Sequence, residues 1–451
     1  MHVLLVLYFI ITNDYDSKHN LHKEYIAVQA LRLQGSALQD FSICTQTMAI
    51  PEKTTLFRQE QPGGVTYRIP ALLYLSDTDT FLAFAEKRSS PLDSHAKYLV
   101  MRRGTLRDGA VQWAPMVDLL TACLPGHRTM NPCPVYEKQT KTLFLFFICI
   151  WGTTSECRQI LTGRNAARLC YIRSTDNGKN WSQLEELTET VIGSKVNKWA
   201  TFAVGPGHGI QMDCGRLIIP AYVYYIHCKC CCLLPLPCCV KPHALSFYSD
   251  DCGETWHVGD FIRGLKSCEC EMAEIVDRDG RSSLYCNARN TKGYRVEALS
   301  EKRGTEFDRP HLAPKLVEQP HGCQGSVVSF PVPEQLAQRG AGENQESSGL
   351  LFTSETHTGL LFSHPTSRKQ RMDLGVYLNC SPPHTSGWQS PWIIHTGPSG
   401  YSDLAYCKGS ESFGCLLECG LKSEVEEIAF VSFPLEDVIG ASGHKTSSTL
   451  H

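Results

Sequence analysis

Three arginines stand in distinctive contexts. Arg68 lies in Tyr-Arg-Ile-Pro, just ahead of an apolar strand-like run. Arg289 closes the run Leu284-Tyr-Cys-Asn-Ala-Arg, and Arg371 ends Arg-Lys-Gln-Arg. Asp93 sits on a loop, Glu274 ends Glu-Met-Ala-Glu, and Tyr401 lies in Gly-Tyr-Ser-Asp-Leu. Singly, each arginine reads as a surface residue. As a set, they could meet an anion at one point. The whole chain could not do so by bulk charge: 43 Lys+Arg stand against 46 Asp+Glu, a formal net charge of -3 over 451 residues. That balance removes a general case for nucleic-acid binding or for electrostatic adhesion to an anionic membrane.

The elements that must carry these residues read as strands. Ala71–Leu75, Thr80–Ala85, Leu143–Ile150, Leu217–Tyr225, Leu245–Tyr248, Val327–Phe330, Gly375–Leu378 and Ile428–Phe433 are short apolar runs. They are rich in β-branched and aromatic residues and bounded by Gly, Pro, Asp or Asn, which is an all-β pattern. Ser174-Thr-Asp-Asn-Gly-Lys-Asn-Trp181 and Ser249-Asp-Asp-Cys-Gly-Glu-Thr-Trp256 share the form S-x-D-x-G-x-x-W. Ser300–Phe307 is a weaker copy, with Lys302 at the aspartate position. In such a hairpin turn, aspartate accepts backbone N–H bonds and glycine takes positive φ. Its repetition points to propeller blades. Insertions are expected near 226–243 and 331–350. Residues 1–47 read as an extension outside the fold, 48–440 as the folded body and 441–451 as a tail.

No stretch is long and apolar enough for a transmembrane helix. Val3–Thr12 has the length of a signal-peptide core, but no Lys or Arg precedes it and no clear cleavage site follows. The 22 cysteines are irregularly spaced in a large chain, which reads as a reducing compartment and not a disulfide framework. The crowded stretch Cys228–Cys239 has Cys228 and Cys231 at C-x-x-C spacing, with His227 and His243 close by. No second well-spaced pair follows, so a zinc site is not expected. S-palmitoylation among Leu233, Leu234 and Leu236 is the preferred reading. Gly205-Pro-Gly-His-Gly209 lacks a phosphate-loop lysine, and no G-x-S-x-G elbow is present. No cofactor or metal is expected.

Together, Tyr67-Arg-Ile-Pro70, the two turn repeats and Gly400-Tyr-Ser-Asp403 resemble the sialidase (exo-α-neuraminidase) family. The resemblance spans residues 56–434. It includes Ala-Phe-Ala-Glu-Lys-Arg at 83–88, Met-Asn-Pro-Cys-Pro at 130–134, Thr-Phe-Ala-Val-Gly-Pro-Gly-His-Gly at 201–209 and Phe-Gly-Cys-Leu-Leu-Glu at 413–418. His-Pro-Thr-Ser-Arg-Lys-Gln-Arg at 364–371 and His-Gly-Cys-Gln-Gly-Ser-Val-Val-Ser-Phe at 321–330 favour the vertebrate plasma-membrane branch of that family, which acts on gangliosides.

The resemblance implies a six-bladed β-propeller whose repeated turns are Asp-boxes. It implies a retaining exo-sialidase in which Arg68, Arg289 and Arg371 clamp the sialic acid carboxylate. Glu418 would orient the first arginine, since clustered arginines need a counter-charge. Tyr401 would be the nucleophile and Glu274 its base, with Glu271 as the rival. Sialidases use tyrosine where other retaining glycosidases use a carboxylate; a carboxylate would be repelled by the substrate's own. Asp93 would protonate the leaving oxygen and later activate water. Arg88 would lie by the 4-hydroxyl, Met130 and Asn131 on the N-acetyl side, and Glu156, Tyr222 and Tyr224 by the glycerol chain. Tyr222 and Tyr224, two apart on a strand, would share a face. The implied substrates are sialylated glycolipids or glycoproteins. The implied location is peripheral on the plasma membrane, with endosomal or lysosomal membranes as a further site. A soluble sialidase acting on oligosaccharides and glycoproteins, or a catalytically weak sialic-acid-binding propeller, are the competing readings.

Overall fold

The computed structural model describes residues 50–107, 109–228, 239–333, 357–382 and 385–443. The expected extension 1–47 lies outside them, as does most of the cysteine-rich stretch and of the 331–350 insertion. Strand pairing continues out to Ile226 opposite Val240, so 240–243 belong to a strand. A closing helix, Leu435–Gly443, runs past the expected boundary at 440.

The regular structure of the described residues is mostly β, its strands joined in antiparallel sheets in a propeller-like arrangement. Six strands matter most to the site. They are β1 (Thr66–Leu75), β2 (His127–Glu137), β3 (Trp199–Val204), β4 (Cys270–Val276), β5 (Ser326–Pro331) and β6 (Trp392–Cys407). β1 to β5 are mostly buried, as is the second half of β6, and polar residues such as Arg68, Asn131, Glu271 and Asp403 interrupt their apolar runs.

Six separate blades are the sequence expectation, and the sheets differ from it. The described strands form five sheets, of seven, four, five, four and five strands. The long strand β6 is the reason. Its first half pairs with Met372–Asn379 and its second half with Ser412–Cys419, fusing their strands into the seven-stranded sheet. That sheet ends on Lys53–Arg58, which pairs with Glu427–Pro434 near the other end of the fold.

The three repeated turns use one hydrogen-bond frame. Gly178 N donates to Ser174 Oγ at 2.9 Å, and Lys179 N and Asn180 N donate to Asp176 Oδ1 at 3.0 and 2.9 Å. Gly253 N and Ser249 Oγ repeat the first contact at 2.9 Å, and Thr255 N repeats the last with Asp251 at 2.9 Å. In the third copy Gly304 N keeps the serine contact at 2.9 Å, while Lys302 turns to Glu306 at 2.5 Å. The second turn also ties neighbouring sheets: Trp256 packs edge-on to Phe144 and Phe146 of the next sheet.

Gly253 has φ +91°, and a Cβ there would lie 2.3 Å from Phe144 Cζ. A Gly253→Ala variant should therefore lose about 1–3 kcal/mol of stability, from strained backbone plus overpacking. Urea denaturation checks this. Specific activity per folded molecule should hold, because the turn touches no candidate site residue.

Candidate active site

A cavity of about 260 Å³ opens beside β1, β2, β3 and β6. Its wall includes Arg68, Arg88, Asp93, Met130, Asn131, Glu156, Tyr222, Arg289, Arg371 and Tyr401. Ten of the thirteen expected site residues thus share one wall, although they are scattered over more than 300 residues of chain.

Irregular backbone aims several of them. The register of β1 slips between Arg68 and Ala71, of β2 between Met130 and Cys133, and of β6 between Ser399 and Ser402. Each bulge interrupts the two-residue alternation and turns a side chain toward the cavity. Ile69 and Asn131 take positive φ, +60° and +59°. Asparagine tolerates that region; for a β-branched residue it is strained, as is common at functional sites.

The arginines are held by acids and by carbonyls. Glu418, fully buried behind the wall, accepts Arg68 Nε at 2.6 Å and Nη2 at 3.2 Å. It also accepts Ile69 N at 2.9 Å and Tyr401 N at 3.0 Å. Burial alone would raise its carboxyl, but Arg68 and these two N–H groups hold it below the ordinary range. One glutamate therefore fixes both the first arginine and the backbone of Tyr401. Arg371 Nη2 donates to Gly322 O at 2.9 Å and Arg289 Nη2 to His321 O at 2.5 Å, so one short loop steers two arginines. Gly322 must be small for this: its Cβ would fall 2.6 Å from Arg289 Nε.

Tyr401 points its hydroxyl at Glu269 Oε1, 2.5 Å away, while Arg289 Nη1 donates to the same phenolic oxygen at 2.9 Å and to Glu269 Oε2 at 2.6 Å. Arg68 and Arg371 lie 5.8 and 5.3 Å from the ring centroid. Burial and the Glu269 charge push the phenol well above its usual range, and Arg289 and Arg371 oppose this. A base to take the proton and cations to stabilise the phenolate are thus in place around one tyrosine.

The opposite wall is a second charged chain. Buried Glu86 binds Arg88 Nη2 at 2.6 Å and accepts Asn131 N at 2.7 Å; Arg88 Nη1 in turn reaches Asp93 Oδ1 at 2.5 Å. The Asp93 side chain is 75% exposed, open to whatever enters. Glu156 begins the short helix Glu156–Thr162, capped by Ser155, and accepts Tyr222 Oη at 3.4 Å.

Residues 79–413 match the BNR repeat-like domain family. Sialidase-3 of Homo sapiens is 53% identical over 397 residues, which cover 85% of this chain and 92% of that protein. The chain belongs to the sialidase family. Within it the chain sits with the sialidase-3 type, since sialidase-4 of Mus musculus is 42% identical, over 86% of this chain and 94% of that one. A Hadza microbial sialidase shares the fold, with a TM-score of 0.63 at 23% identity, over 83% of this chain and 66% of its own.

Two expected site residues stand elsewhere in this sialidase. Tyr224 lines an adjoining cavity with Cys268 and Asn290. It shares a face with Tyr222, as the spacing implies, but lies one step further out. Glu274 is the larger correction. Its carboxylate accepts Asp213 N at 2.7 Å and Ser282 Oγ at 2.5 Å, beside a different cavity that His208 also lines. Strand parity explains the miss. Along β4, alternate residues face opposite ways, so Glu269 and Glu271 share the side that Glu274 does not. The rival Glu271 faces the right way but sits one step deeper, bonded to Ser326 and not to Tyr401. Counting back by twos from Glu271 was the available signal for Glu269. Among the described residues, His208, Glu271 and Asp403 bring possible metal-ligand atoms within 4.8 Å of one another. Their polar atoms already engage one another and nearby N–H and hydroxyl groups.

Glu156 is the titrating member of the wall. Burial, then the charges of Glu269 and Asp93, raise its carboxyl to about 7, against the pull of Arg289. It is neutral below that pH and adds a negative charge above it. An anionic substrate should therefore show a rising KM as pH passes upward through neutrality, and Glu156→Gln should flatten that rise. KM measured from pH 5 to 8.5 on both proteins checks this.

Proposed function

We propose that this sialidase removes terminal sialic acid with retention, through a covalent intermediate on Tyr401. The carrying observation is the 2.5 Å contact between the Tyr401 hydroxyl and Glu269, inside a ring of arginines. Arg68, Arg289 and Arg371 bind the substrate carboxylate through their guanidinium forks. The Tyr401 oxygen attacks the anomeric carbon as its proton passes to Glu269. The glycosidic oxygen leaves as an alcohol, taking a proton from Asp93. Arg88 occupies one Asp93 oxygen, so that proton is carried on the other. Water then gives a proton to Asp93 and attacks the same carbon. Tyr401 leaves, recovers its proton from Glu269, and free sialic acid is released. Two displacements on one carbon give retention. A neutral tyrosine serves better than a carboxylate here because the substrate's own carboxylate lies against it.

Gangliosides are the proposed natural substrates, at the plasma membrane and at endosomal or lysosomal membranes. Support comes from the motifs at 321–330 and 364–371 and from the likeness to the sialidase-3 type. Peripheral attachment would use acyl chains on cysteines between Cys228 and Cys239, of which Cys228 is exposed. On this reading the fused seven-stranded sheet counts as two blades of a six-bladed ring.

Tyr401→Phe should lower kcat by about 10³-fold or more, and Glu269→Gln by about 10²–10⁴-fold. Glu274→Gln should stay within about twofold of wild type. Initial rates on a fluorogenic sialoside check all three, and a large loss in Glu274→Gln with none in Glu269→Gln would reverse the assignment. Against equimolar ganglioside and sialoglycoprotein, kcat/KM should favour the ganglioside by about 10-fold or more, the margin of one good contact.

A further inference from the structure

Below the catalytic pair, the same strands meet again. Asp403 lies two residues beyond Tyr401 on β6, and Glu271, on β4, lies two beyond Glu269, which immediately precedes that strand. Period two sends each pair to one side of its strand. Ser326, from β5, stands between them. Its Oγ is 2.7 Å from Glu271 Oε2 and 2.8 Å from Asp403 Oδ1, and it accepts Leu404 N at 2.9 Å. Glu271, Ser326 and Asp403 are all fully buried.

The protons in this cluster can be counted. A serine hydroxyl has one hydrogen, yet this one touches two carboxyl groups at hydrogen-bond distance. One of them must supply the second hydrogen, or two lone pairs would face each other in a dry interior. Asp403 is built to be the anion: Oδ1 takes His208 Nδ1 at 2.7 Å, and Oδ2 takes Leu72 N at 2.6 Å. Glu271 is held less closely: Oε2 takes Val327 N at 3.0 Å and Oε1 takes Gln324 Nε2 at 3.4 Å. Burial and then the Asp403 charge raise the Glu271 carboxyl well above the ordinary range, in the same direction as the proton count. Packing holds it in place, since a Cβ on Gly207 would fall 1.4 Å from Glu271 Oε1.

We propose that Glu271 is a neutral carboxylic acid and a positioning residue for the reaction. It donates its hydrogen to Ser326, which donates to Asp403, and this chain clamps β4, β5 and β6 so that Glu269 stays on the Tyr401 hydroxyl. The proposal rests on the reading of Tyr401 and Glu269 as the reacting pair. The other ionisable groups facing the cluster are His208, Asp403 itself and the buried thiols of Cys133 and Cys415. Loss of the Glu271 proton at high pH would set two anions against one hydroxyl and loosen the clamp. The sign is fixed: activity is present while Glu271 is protonated and falls as pH rises through its ionisation.

The test uses the full chain and three variants. The infrared difference spectrum of wild type minus E271Q at neutral pH should contain the C=O band of a neutral carboxylic acid. E271Q, whose amide nitrogen can donate to Ser326 but can neither accept Val327 N–H nor ionise, should keep part of the activity and extend its alkaline limit to higher pH. S326A, which removes only the hydroxyl, should shift the same infrared band and lower kcat by about 10-fold or more, with KM within about twofold. Should E271Q fail to fold, the S326A band shift and kcat still decide. An absent acid band, an alkaline limit identical in E271Q and wild type, or an unchanged S326A would each overturn the proposal. Y401F separates the two readings. If Y401F retains activity, the reacting pair is wrong. If Y401F is dead while the Glu271 signatures are missing, only the clamp is wrong.

Discussion

Three guanidinium groups lining one small cavity repel one another, and much of the site exists to hold them there. Charges a few ångströms apart interact strongly away from bulk water. Glu418 neutralises Arg68, Glu269 neutralises Arg289, and backbone carbonyls of His321 and Gly322 take donors from Arg289 and Arg371. The remaining donors converge on the cavity. This arrangement leaves a net positive hollow in a chain whose formal charge is -3. Each counter-charge acts twice, because Glu418 also fixes the Tyr401 backbone and Glu269 also accepts the Tyr401 hydroxyl. The elements that restrain the arginines are thus the same ones that hold Tyr401.

Such doubling requires strands from distant parts of the sequence to meet at fixed height. Regular pleating would send alternate residues away from the cavity. Bulges in β1, β2 and β6 break that alternation where Arg68, Met130, Asn131 and Tyr401 must enter. Tight local frames at the turns leave the strands free to carry this irregularity.

Much of this could be read in the sequence. Short β-rich runs gave an all-β chain, and the turn repeats indicated blades. Motif likeness singled out the arginines, Tyr401 and Asp93, which the fold brings to one cavity, and Glu418 behind it, because those residues lie in distinctive local strings. Glu269, which the fold sets against the Tyr401 hydroxyl, was not singled out because its string, Glu-Cys-Glu-Met-Ala-Glu, offers three carboxylates within six residues. Only the facing of β4 separates them, and facing depends on pairing across the sheet. The fusion of sheets through β6 was equally hidden, since a strand's two halves having different partners leaves no mark in composition. The proton balance at Glu271 depends on Ser326 and Asp403, which are distant in sequence, so no local pattern could suggest it.

The pairing of Lys53–Arg58 with Glu427–Pro434 has a consequence for how the molecule is made. Sequential hairpins can form as soon as each strand emerges, but this one contact joins segments more than 350 residues apart. During synthesis the early strand must wait, with its edge groups unpaired, until nearly the whole chain has been translated. At roughly 5–20 residues per second that wait lasts tens of seconds. The seven-stranded sheet is thus completed by the earliest of its strands, and the nascent chain is most exposed to mispairing just before that pairing forms.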